Sequence, residues 1–69
     1  MNALQIAQEA VESTESAAQF VSAETRELIA FGKVATLIER MKASDSQRVY
    51  RLEEAMHEVR ILLASKADS

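Results

Sequence analysis

Glu54 and His57 stand three residues apart, the E-x-x-H spacing by which carboxylate-bridged di-iron bundles hold metal from one helix. Glu24, far upstream, is the carboxylate that could bridge such a pair. Ligands of that kind must point into a bundle core. Counted at about 100° per residue from the stripe Val49, Leu52, Met56, Val59 and Leu63, Glu54 faces nearly opposite and His57 lies well off it. The pattern therefore predicts no metal and no cofactor. His57 is the chain's one histidine and there is no cysteine. A serine nucleophile would need a base and an orienting group held together in a pocket, and none is spelled here. A glycine-rich phosphate loop is also missing, because Gly32 is the single glycine. The expected protein is not an enzyme, has no catalytic residues and takes no small-molecule ligand.

The elements that carry these residues are helical. No proline interrupts the chain. Leu4, Ala7, Val11, Thr14, Ala18, Val21, Thr25, Leu28, Gly32 and Ala35 recur at alternating steps of three and four, the spacing of one buried helix seam. Unbroken to Met41, that helix is a rod of roughly 60 Å, and the 28 residues left over cannot cover it. From Phe20 onward a second apolar side appears at Phe31, Val34, Ile38 and Met41. One side would meet the chain's own second helix, with Leu63 returning near Phe20; the other would meet another copy. Lys42-Ala-Ser-Asp-Ser46 breaks the pattern, and Ser44 with Gln47, or Asp45 alone, can cap the second helix.

The expected fold is all-α, a single small domain over 1–69. A long helix of about 2–42 and a shorter one of about 46–64 form an antiparallel hairpin, with 65–69 a frayed tail. A homodimer forms through Leu4, Ala7, Val11, Ala18, Val21, Leu28 and Gly32, where the glycine permits close backbone approach or marks a kink. A second arrangement has three helices, with a break near 13–22. There Ser and Thr compete for backbone hydrogen bonds, Ser16 with Gln19 could form a capping box, and Ser22 could start a new helix.

Charge narrows the partners. The net charge is −3. Glu9, Glu12, Glu15 and Glu24 precede the first basic residue, Arg26. An acidic arm does not suit phosphate binding but could suit a basic protein surface. Arg48 and Arg51, with Arg60 further along, could touch phosphate or acid, but Arg51 has Glu54 three residues on, and a structural ion pair on the helix surface is the preferred reading. No apolar run approaches a membrane span, and MNALQIAQEA lacks the basic start and apolar centre of a secretory leader. A cytoplasmic protein is expected, with no nucleic acid and no membrane partner.

Tyr50, Glu54, His57 and Ile61 share the outward strip of the second helix. An exposed Tyr and Ile on one strip suit a protein contact. Leu28 to Ile38 has the look of a helix-turn-helix with glycine at the turn, yet a reading helix from Val34 would offer Ala, Leu and Ile where base-reading side chains are needed.

In its length, acidity, lack of cysteine and helical pattern, with the arm Glu9-Glu12-Glu15 and the strip Tyr50-His57-Ile61, the chain resembles small all-helical phage-encoded inhibitors of bacterial host regulators, the anti-quorum-sensing type. That resemblance implies binding to the DNA-binding domain of a LuxR-type transcription activator, and also to the motor ATPase of type IV pili. The expected function is that of an anti-activator in the cytoplasm of the bacterial host, occluding its target. The rival readings are a small helical secretion chaperone or assembly adaptor, which would hold a client helix along the apolar seam, and a small helical DNA-binding regulator.

Overall fold

The computed structural model describes residues 1–17 and 20–67. These form three helices: α1 (Ala3–Ala17), α2 (Ala23–Glu39) and α3 (Asp45–Ala67). The arrangement is the three-helix one, with the break inside 13–22, and the expected single helix over 2–42 is divided. The cause is visible at Ser22. Its backbone is extended (φ −63°, ψ 162°), and its hydroxyl oxygen accepts from the Thr25 N–H at 3.2 Å. A serine that satisfies an orphan donor of the first turn stabilises a helix start, typically by about 1 kcal/mol.

All three helices begin in the same manner. The Asn2 side-chain oxygen accepts from the Gln5 N–H at 2.8 Å, and the Gln5 side-chain oxygen accepts from the Asn2 N–H at 2.9 Å. Ser44 and Gln47 exchange the equivalent pair at 3.2 and 3.3 Å. Both are reciprocal boxes that satisfy two donors at once. The α2–α3 corner is closed by Met41, whose N–H donates to the Ile38 carbonyl at 3.0 Å. Arg48 then donates from Nη2 to the Met41 carbonyl at 2.8 Å and ties the first turn of α3 to the end of α2.

Cross-links between helices fix their directions. Arg60 on α3 meets Glu27 near the start of α2, while Arg48 meets Met41 beyond its end, so α2 and α3 run antiparallel. Lys66 meets Glu15, which puts the C-terminal ends of α1 and α3 together. The chain therefore runs up, down and up, the topology that short connections favour.

The core sits between the three inner faces. It holds Ala3, Ile6, Ala7, Ala10, Val11, Ala30, Val34, Ile38, Ala55 and Val59, with Leu52, Leu62 and Leu63 of α3 packed against it. Half of the ten are alanines, so the helices can approach closely and each contributes little apolar area. Ile6, Val11, Val34 and Val59 are the large buried side chains, worth about 1.5–3 kcal/mol each. Thr14 is also buried, and its hydroxyl is satisfied by donating to the Ala10 carbonyl at 2.7 Å.

Three expectations change with this packing. α3 reaches Ala67 rather than ending near 64, and residues 68–69 lie outside the described residues. Its inward stripe is rotated toward Ala55, Val59 and Leu62, because α3 packs against two helices instead of one. Val49, expected inside, is 56 % exposed. Phe20 stands in the turn before α2, 98 % exposed, and does not reach Leu63.

Candidate protein-binding surface

The outer side of α3 carries the strip that the sequence indicates. Helical periodicity places Tyr50, Glu54, His57 and Ile61 on the side opposite Ala55 and Val59. Tyr50 is 64 % exposed and Ile61 48 %. His57 is also exposed, and Glu54 is half-buried. Glu54 accepts a hydrogen bond from the Tyr50 phenol, and this bond, with the carboxylate's charge, raises the Tyr50 pKa above the ordinary 10.0. Arg51 opposes the shift in part. Glu54 and His57 point away from the core, away from where a bundle metal would sit. Among the described residues no group of three His, Cys, Asp or Glu is placed to hold a metal ion.

The acidic arm is a separate surface. Glu9 and Glu12 are exposed on α1 and border an open groove with Leu62 and Lys66 of α3. Glu15 is engaged within the chain, its Oε2 lying 2.9 Å from Lys66 Nζ. A similar clasp joins Arg60 Nε to Glu27 at 2.9 Å, with the guanidinium 5.2 Å from the centre of the Phe31 ring. Such partly exposed pairs contribute little stability but fix geometry.

The seam expected to join two copies is dispersed. Ala7 and Val11 lie in the chain's own core. Leu4 is 43 % and Leu28 70 % exposed. Gly32 is exposed and Val21 half-buried, while Ala18 lies outside the described residues. A Cβ on Gly32 would meet nothing within 4 Å, so no close approach inside the chain explains the glycine. It lies within the continuous helix α2, so residues 28–38 are not a helix-turn-helix. A groove between α1 and α2, lined by Ser13, Gly32, Lys33, Thr36 and Arg40 among others, had no sequence signal. It joins residues that only the chain reversal brings together. Among the described residues no helix is long and apolar enough to cross a membrane. Comparison with protein-family models, with curated proteins and with solved structures finds no match.

Proposed function

We propose that this protein is a non-enzymatic binding module that inhibits a bacterial regulatory protein by covering one of its working surfaces. The observation that carries the reading is the exposure of Tyr50 and Ile61 on the outer face of the longest helix, on either side of Glu54 and His57. Tyrosine supplies a large amphipathic anchor with few rotors to freeze, and a helix-backed strip loses little entropy on docking. Its chemistry suits a target with an apolar depression bordered by basic groups. Glu9 and Glu12 on α1 add a second acidic contact for such a surface.

The resemblance to phage-encoded inhibitors points to the DNA-binding domain of a LuxR-type activator, and secondarily to a type IV pilus motor ATPase, inside the bacterial host cytoplasm. Occlusion is the mechanism: an activator domain covered by this bundle cannot hold its operator. The test is displacement of operator DNA from a purified LuxR-type activator, followed by fluorescence anisotropy. The wild-type chain should release the DNA. Tyr50→Ala with Ile61→Ala should need about tenfold more protein or more, with helicity unchanged by circular dichroism. Failure of the wild-type chain to release DNA from any such activator overturns the reading.

A further inference from the structure

The outer face of α3 is its own complement in the antiparallel direction. Tyr50, Glu54, His57 and Ile61 are spaced four, three, four, a pattern symmetric about its midpoint. Two copies of α3 laid antiparallel about that point bring Tyr50 onto the partner's Ile61 and Glu54 onto the partner's His57, each twice. The spacing is that of the seam of a coiled coil, where the flanking positions carry the charges that select partner and direction.

Those flanks match as well. On one side of the strip stand Glu53 and Arg60, seven residues apart; on the other stand Arg51 and Glu58, also seven apart. In an antiparallel pair related by a two-fold axis, each flank faces the same flank of its partner. Glu53 then faces Arg60 of the partner subunit, and Arg51 faces Glu58 of the partner subunit. A parallel pair would instead set Glu53 against the partner's Glu58, like against like, and Glu54 against the partner's Glu54. The flanks are accessible: Glu53 is exposed, Arg51 and Glu58 are half-buried, and the Arg60 side chain is 60 % exposed beside Glu27.

From this complementarity we propose that the protein self-associates through the outer face of α3, as an antiparallel two-fold dimer. Contact from Ser46 to Ala64 spans about 27 Å of helix, which lies at the small end of specific interfaces. The dimer is consequently weak and concentration-dependent. One consequence rests on the function proposed above: the second copy covers the strip offered to the target, so self-association and target binding exclude each other.

Sedimentation equilibrium of the pure chain, across concentrations up to about 1 mM, tests the self-association with no target present. The wild type should show a monomer–dimer equilibrium. Arg51→Glu sets like charges across one flank at two symmetric places and should weaken the dimer about tenfold. Adding Glu58→Arg should restore it. Glu53→Arg, at an exposed position where refolding is not at issue, should weaken it comparably on the other flank. Leu28→Lys, on α2, should leave it unchanged. A chain that stays monomeric throughout overturns the proposal. So does a dimer broken by Leu28→Lys but indifferent to Glu53→Arg and Arg51→Glu, or one that the added Glu58→Arg fails to restore. Displacement of operator DNA is read separately, so loss of one result leaves the other standing.

Discussion

Replacing Gly32 with alanine should stabilise the protein. Gly32 lies in the interior of α2, Ala23–Glu39, with its backbone at negative φ. A glycine there costs about 0.8–1.0 kcal/mol relative to alanine, from the backbone entropy that the unfolded chain gives up. A new methyl group can add a packing or clash energy only through neighbours, and none lies within 4 Å of the Cβ position. The Thr36 hydroxyl donates to the Gly32 carbonyl at 3.1 Å, a bond that involves no side chain at position 32. The propensity term is therefore unopposed, and the expected gain is about 1 kcal/mol. For a domain of this size that is a rise in Tm of roughly 4–8 °C. Thermal and urea unfolding followed by circular dichroism would measure it, with an unchanged urea slope showing that the compactness of the end states is preserved. Measurement at two well-separated protein concentrations adds a second reading. Unchanged or reduced stability would refute the reasoning, since something outside the chain would then be occupying the space beside Gly32. A loss that grows with concentration would identify that occupant as a second copy seated on α2.

Three other perturbations test the fold and the strip. Ser44→Ala removes one half of the box that opens α3 and should cost about 1 kcal/mol, read as a lower urea midpoint. Ile6→Ala empties part of a fully buried site and should cost about 2–5 kcal/mol; in a domain this small that is a large share of the total stability, visible as loss of cooperative unfolding near physiological temperature. Ultraviolet titration of the phenol should find Tyr50 ionising above 10.0, and Glu54→Gln should return it toward that value, because the Glu54 hydrogen bond and charge cause the shift. The sign for stability is set by the direction. The folded state holds this proton more tightly, so the contribution is complete below the unfolded value and is lost as pH rises through the folded one.

Much of the local structure was legible. The Ser44–Gln47 box and the start at Ser22 are short-range devices whose donors and acceptors lie three residues apart. The outer strip of α3 was legible because one helix keeps its own phase. The reversal between α1 and α2 was harder to read, because a three-and-four pattern records which side faces apolar surroundings and carries no record of direction. Ala7 and Val11 on α1 face the core, but the spacing that continues them onto α2 runs through Leu28 and Gly32, which are exposed, whereas α2 turns its other side, Val34 and Ile38 with Ala30, to that core. Val49 lies outside the core for a related reason: the inward direction of α3 is set by two neighbours, and packing against α1 as well as α2 turns it toward Ala55 and Leu62.

The alanine-rich core also accounts for where the larger side chains went. Ala7, Ala10, Ala30 and Ala55 are essentially inaccessible, and helices packed that closely leave no interior volume for another Tyr or Ile. Core density forbids such insertion without strain. Among the described residues, α3 is clasped to its neighbours at the edges of the bundle by Arg48 to Met41, Arg60 to Glu27 and Phe31, and Lys66 to Glu15. Each leaves from the inner side or the flanks of the helix. Tyr50, His57 and Ile61 take no part in them. α3 is thereby held on one side and open on the other, and its outer strip can be altered without disturbing the packing that supports it. Variants of that strip consequently test the proposed binding without altering the fold, which variants of the core cannot do.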